Sequence, residues 1–190
     1  MTTLPPAAPH HDGEHAVNRP SCPFPVFRVL LVCTGNAYHS PFTEILTNRL
    51  LVTALGNRGA ARFLVSSAGT TAVPGRRMNP LAWSGLACLG YGRAASLFRS
   101  RALDAHLVDT ADVVLTAGRP QRAAVLRVAP HAAGKVLRLA EWNALGAGPH
   151  TAASTSDSPE EPPLHSLARE ATGLARTLVP MASADPAMAR

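Results

Sequence analysis

The passage from residue 26 to Pro41 limits this chain more than any other. Residues 26–32 read Val-Phe-Arg-Val-Leu-Leu-Val after Pro25, a short β-branched and apolar run that suits a buried strand better than a helix. Cys33-Thr34-Gly35-Asn36-Ala37-Tyr38-His39-Ser40 follows, and beyond Pro41 the residues Phe42, Ile45, Leu46 and Leu50 recur at helical spacing. Ser40 before Pro41 reads as a helix start, because a serine hydroxyl can cap free amides and proline has no amide to leave unpaired. A strand running through a short glycine-containing loop into a helix aims several backbone amides at one spot, where the helix dipole adds positive potential. That spot binds an anion. A cysteine at the start of such a loop has its thiolate stabilised by the same amides and becomes a nucleophile, whereas an isolated cysteine ending a strand is a small buried side chain and nothing more.

The rest of the chain alternates in the same way. Strands are expected over 62–67, closed by Ala68-Gly69-Thr70, over 112–116 and over 136–139. Helices are expected over 78–89, ending at Gly90, over 102–108, over 120–128 and over 164–178, with a frayed tail from Pro180. Strands alternating with helices predict an α/β fold, a single domain whose four-stranded parallel sheet is flanked by helices. In such sheets ligands bind at the carboxyl ends of the strands, where the Cys33 loop falls. The polar, proline-containing stretch 143–163 is too long for a routine connector and reads as a lid or a disordered excursion. The expected organisation is therefore a disordered extension over 1–25, one domain over 26–180 and a tail over 181–190.

Composition removes several functions. The net charge of +6 is scattered without a dense basic tract and only 5% of residues are aromatic, so neither a nucleic-acid partner nor a base-stacking surface is expected. No apolar run reaches the length of a membrane span. Cys22, Cys33 and Cys88 make an odd set with no paired spacing, which argues against a disulfide framework and against a zinc site, and fits a reducing cytoplasm. We expect no metal and no cofactor in the domain. The first 25 residues lack the apolar stretch of a secretory signal, and His10, His11 and His15 there read as part of a solvated tail or a metal-binding cluster.

Val29-Leu30-Leu31-Val32-Cys33-Thr34-Gly35-Asn36, followed by Ser40-Pro41 and a helix, resembles the signature of the low-molecular-weight protein tyrosine phosphatases. That signature is cysteine, five residues, arginine, then serine or threonine. Ser67-Ala68-Gly69-Thr70, Ala111-Asp112-Val113-Val114-Leu115-Thr116 and Arg122-Ala123-Ala124-Val125-Leu126 extend the likeness across residues 27–180. The resemblance implies a phosphotyrosine phosphatase I-like fold and hydrolysis of phosphotyrosine or a small phosphomonoester through a phosphocysteine intermediate. It casts Cys33 as nucleophile, Ser40 as the hydroxyl that helps the sulfur leave, and Asn36 as the residue that holds the loop's shape. Thr34, Gly35, Asn36, Ala37 and Tyr38 would then form the substrate-binding cradle, and the partner would be a phosphorylated protein or small molecule.

Three positions depart from the family pattern. His39 stands where the signature has arginine, and a histidine offers one donor toward the site and is charged only when protonated, in place of a permanent planar fork. The family's late Asp-Pro general acid is missing, and the nearest candidates are Asp157, separated from Pro159 by Ser158, and Glu160 and Glu161. Tyr38 replaces the second cysteine that in many members protects the first. Two other readings fit these departures: a diverged thiol enzyme acting on a non-phosphate substrate in a biosynthetic pathway, and a catalytically weak pseudophosphatase that binds a partner.

Overall fold

The computed structural model describes residues 25–146 and 162–183. Strands β1 (Phe27–Cys33), β2 (Phe63–Gly69), β3 (Val113–Thr116) and β4 (Val136–Arg138) form one parallel sheet in the order β2-β1-β3-β4. The helices are α1 (His39–Ala60), α2 (Pro80–Cys88), α3 (Gly92–Leu97), α4 (Ala105–Thr110), α5 (Arg119–Val128), α6 (Leu139–Gly146) and α7 (Leu164–Ser183), with a 3₁₀ turn over Pro130–Lys135. Chain connection moves from β1 outward to β2 and then across to β3, so the strand order reverses beside β1. A crevice opens at such a point above the strand ends, and β1 delivers Cys33 to it.

Both faces of the sheet are covered, which explains why β1 is a continuous apolar run. Val29, Leu31, Val65 and Leu115 point to one face and pack with Leu51 of α1 and Leu174 and Leu178 of α7. Leu30, Val32 and Val114 point to the other and pack with Val108 of α4, Val125 of α5 and Val136. A third cluster joins α1, α2, α3 and α7 through Phe42, Leu86, Phe98 and Leu167, and it includes Tyr38 of the loop. Leu174 is fully buried among the side chains that clamp α7 onto α1 and the sheet. Leu174→Ala is expected to cost about 2–5 kcal/mol of stability through the lost apolar contact and the cavity left behind, read as a lowered denaturant midpoint.

Three expectations need correction, and one helix is added. The helix expected over 102–108 lies at Ala105–Thr110, because Ala102 is bridged to Gly69 and the Asp104 side chain caps the helix by accepting from the Leu107 amide. The chain from Leu139 to Gly146 is helical, so the expected loop from 143 begins inside α6. α3 had no counterpart in the sequence reading. The last helix does not stop at residue 178. Pro180 sits on its exposed side, and α7 continues to Ser183 because Ala182 is buried in the core and its carbonyl accepts from the Arg62 guanidinium at 3.4 Å.

Candidate active site

The loop after β1 is held from behind by its carbonyls. The Thr70 amide donates to the Cys33 carbonyl at 3.0 Å, the Thr71 amide to that of Thr34 at 2.9 Å, and the Asn79 amide to that of Ala37 at 2.7 Å. The end of β2 presses directly on the loop. A Cβ on Gly69 would lie 2.6 Å from the Thr34 carbonyl oxygen and 2.8 Å from the Asn36 nitrogen, so only glycine allows this approach. Asn36 adopts a left-handed backbone angle, φ 47°, which asparagine tolerates better than most residues.

Asn36 is fully buried, and its side chain organises the loop. Its Oδ1 accepts from the Arg101 amide at 2.7 Å, while its Nδ2 donates to Ser40 Oγ at 3.0 Å and to Ser67 Oγ at 2.8 Å. Two amide hydrogens thus enter two hydroxyl oxygens, and each hydroxyl must direct its own proton elsewhere. Ser67 donates to Glu44 Oε2 at 2.5 Å. Ser40 Oγ is 2.9 Å from Cys33 Sγ, a contact in which either atom can donate to the other and in which the hydroxyl donates when the sulfur is a thiolate. The Asn36 amide adds a second donor to the same sulfur at 3.3 Å. Cys33 is buried at the end of β1 with these two donors converging on it.

The chain of bonds ends on a carboxylate. Glu44 lies on α1 one turn after Ser40, and burial pushes its carboxyl above the usual carboxylate range, opposed in part by the Ser67 hydroxyl and the Arg101 guanidinium. Arg101 Nη2 reaches its two oxygens at 3.1 and 3.3 Å. Arg101 therefore serves the loop twice, by its main-chain amide to Asn36 and by its side chain to Glu44.

His39 is not directed to solvent. It opens α1, its side chain is 16% exposed, and Nε2 lies 2.5 Å from Glu170 Oε2 on α7. The ring lies in a crevice with Ser40, Thr43, Leu115, Ala117 and Leu139. The expected capping role of Ser40 is also corrected. The helix begins at His39, Tyr38 occupies the cap position without a side-chain cap bond, and the Ser40 hydroxyl faces the sulfur.

The other expected cradle residues fall around this centre. Thr34 and Gly35 are exposed, and Thr34 Oγ1 accepts from Gln121 Nε2 of α5 at 2.9 Å. Ala37 is half-buried, and Tyr38 is buried with its hydroxyl donating to the Pro162 carbonyl at 3.0 Å. Asp157, Glu160 and Glu161 lie outside the described residues, as do His10, His11 and His15. The structure thus brings together Cys33, Asn36 and Ser40, while the His39 side chain meets Glu170 of α7. It adds Ser67, Glu44, Arg101, Gln121 and Glu170, of which Ser67 stood in the Ser67-Ala68-Gly69-Thr70 likeness and Glu44 at helical spacing from Ser40, while the others carried no sequence signal. Among the described residues no cluster of three metal-binding side chains occurs, and no helix is long and apolar enough to cross a membrane.

Residues 28–152 match the family model described as low molecular weight phosphotyrosine protein phosphatase. The low molecular weight protein-tyrosine-phosphatase Wzb of Salmonella typhimurium is 28% identical over 116 residues, 61% of this chain and 70% of that protein. The low molecular weight protein tyrosine phosphatase of T. tengcongensis superposes with a TM-score of 0.61 at 25% identity, covering 83% of this chain and 99% of that one. The arginine phosphatase YwlE of Geobacillus stearothermophilus superposes with a TM-score of 0.59 at 24% identity, covering 83% and 91%.

Proposed function

Because this chain belongs to the low molecular weight phosphotyrosine protein phosphatase family, we propose that it hydrolyses a phosphomonoester, on tyrosine or on a small molecule, through the Cys33 thiolate. Family membership and the phosphatase relatives support a phosphatase function. The observation that carries the cysteine mechanism is the convergence of the Ser40 hydroxyl and the Asn36 amide on Cys33 Sγ, at 2.9 and 3.3 Å. Such donors support a thiolate that attacks phosphorus as the P–O bond to the leaving group breaks. The leaving oxygen then takes a proton from an acid, for which Asp157 is the candidate. Water attacks the phosphocysteine, the P–S bond breaks, inorganic phosphate leaves, and the Ser40 hydroxyl steadies the returning thiolate. Thr34, Gly35, Asn36, Ala37 and Tyr38 supply the backbone that surrounds the phosphate.

The weak point of this site for phosphoryl transfer is His39. One imidazole nitrogen is engaged with Glu170, so the ring cannot reproduce an arginine's two-pronged grip on phosphate. That pairing favours a second reading, a catalytically weak protein that binds a phosphorylated partner. His39→Arg separates the two. Hydrolysis of an aryl phosphate is expected to rise by about 10²–10³-fold in His39→Arg, the scale of one regained transition-state donor. If neither the parent nor His39→Arg turns over while Cys33 is alkylated readily by iodoacetamide, phosphate esters are not the substrate, and a different electrophile takes their place.

A further inference from the structure

The segment that follows β2 is fastened to the Cys33 loop at two places. The Thr71 amide donates to the Thr34 carbonyl at 2.9 Å and the Asn79 amide to the Ala37 carbonyl at 2.7 Å, so residues 72–78 arch along the loop between these anchors. Ser100 holds the middle of the arch. Its amide donates to the Arg76 carbonyl and its carbonyl accepts from the Gly75 amide, both at 2.9 Å, while its hydroxyl donates to the Val73 carbonyl at 2.5 Å. Met78 is buried in the cluster that contains Tyr38 and Phe42. The main chain is thereby fixed, yet Val73 is 62% exposed and Arg76 and Arg77 are exposed as well. Neither guanidinium has an ion pair or a hydrogen bond among the described residues. The other wall of the crevice has the same sign. Gln121 meets Thr34 at 2.9 Å, which sets the start of α5 beside the loop, and residues 117–122 include Arg119 and Arg122. No carboxylate occurs in 70–79 or in 117–122, and Glu44 at the loop is matched by Arg101.

Resting on the phosphatase reading above, we infer that the arch over residues 71–79 is a docking edge for an acidic peptide, and that Arg76 and Arg77 select phosphotyrosine flanked by aspartate or glutamate. Attraction between charges needs reach and not a fixed direction. Arg77 lies two residues before the Asn79 anchor, a span of at most about 7 Å of chain, and Arg76 lies one residue further. Unpaired charges act over a Debye length, about 10 Å at 0.1 M salt. Both therefore act on carboxylates one or two residues from a phosphotyrosine seated over Cys33. The form of the surface selects a peptide over a compact ligand. Val73, Arg76 and Arg77 stand in the open on one fixed strip, along which an extended chain can lay an apolar side chain and two acidic ones.

The test compares kcat/KM for phosphotyrosine peptides that differ only in whether acidic, neutral or basic residues flank the phosphotyrosine, alongside a small aryl ester that carries a second phosphate. The same ligands are titrated against Cys33→Ser protein by fluorescence anisotropy, which reads binding whatever the rate. At low salt the parent is expected to prefer the acidic peptide to the neutral one by about tenfold, the product of two exposed ion pairs worth about threefold each. The basic peptide is expected to fall below the neutral one. Salt of about 0.5 M is expected to erase most of the preference. In Arg76→Gln/Arg77→Gln the preference is expected to drop to within about twofold at low salt, mainly through KM, because these charges act on binding and not on phosphorus. Arg76→Lys/Arg77→Lys is expected to retain it, because charge and not the guanidinium fork carries the effect.

A preference below about twofold in the parent, or one that survives Arg76→Gln/Arg77→Gln, overturns the inference and leaves the phosphatase reading in place. So does a second phosphate that serves better than the acidic peptide, which makes the partner a small molecule. Failure to bind or hydrolyse every phosphopeptide and aryl phosphate, with His39→Arg included, removes the phosphatase reading itself and the inference with it.

Discussion

Cys33→Ser is expected to lower aryl phosphate hydrolysis by about 10⁴-fold, down to the buffer rate, because no other group on the loop replaces the lost nucleophile. The chemistry predicts more than a loss of rate. Acid quenching of the parent during turnover of ³²P-labelled substrate is expected to leave label on the protein, and Cys33→Ser is expected to leave none that turns over. Serine matches cysteine closely in size and keeps a hydrogen-bonding contact with Ser40, so the fold and the melting temperature are expected to change little. A residual rate within about tenfold of the parent excludes Cys33 as nucleophile. The comparison with Cys88, which is exposed and far from the loop in sequence, provides the internal control for thiol reagents.

Asn36→Ala is expected to be the most damaging small substitution in the chain. Alanine in the left-handed region costs about 1–2 kcal/mol. The Arg101 amide, in a part-buried setting, loses its acceptor, and the buried Ser40 and Ser67 hydroxyls lose a shared donor. Leaving buried partners unpaired costs about 1–3 kcal/mol apiece, so a total near 4 kcal/mol and a fall of about 10 °C in melting temperature are expected. Activity is expected to vanish as well, since the Ser40 proton is no longer steered toward the sulfur. Asn36→Gly separates the contributions: it relieves the backbone cost while deleting the same three bonds. If Asn36→Gly recovers most of the stability, conformation dominates over the network.

The parts of this fold that were legible in the sequence are the local ones. β1, its loop and α1 are contiguous, and each is marked by residue type: β-branched residues for a strand covered on both faces, glycine and asparagine for the turn, proline early in the helix. All four strands and their parallel arrangement followed from the same alternation. α6 was illegible because its asparagine and small residues resemble loop composition, although Trp142 anchors it by donating to Thr177 Oγ1 at 2.7 Å. The end of α7 was misread because proline inside a helix usually marks a stop. Here its ring faces outward, and the burial of Leu178 and Ala182 around it offsets the missing bond.

The site divided along the same line. Cys33, Asn36, His39 and Ser40 sit within one turn of chain and could be read together, but the residues that orient them could not. Ser67, Arg101 and Glu170 reach the loop from 31, 65 and 131 residues away, and no local pattern announces a contact at such separations. The departure at His39 was visible, yet its meaning was not, because the residue that answers it lies on another element.

The clamp between α1 and α7 also orders events in time. Tyr38 to Pro162, Thr47 to Ala171, His39 to Glu170 and Arg62 to Ala182 are bonds between residues 120 to 131 positions apart. During synthesis the cysteine loop and the first helix leave the ribosome long before their partner helix exists, and contacts of such span form late in folding. Until α7 docks, Leu31, Leu51 and Leu115 lack the cover that Leu174 and Leu178 give them, and His39 has no carboxylate beside it. The nascent chain therefore carries a thiol loop before it carries the helix that completes the surroundings of His39.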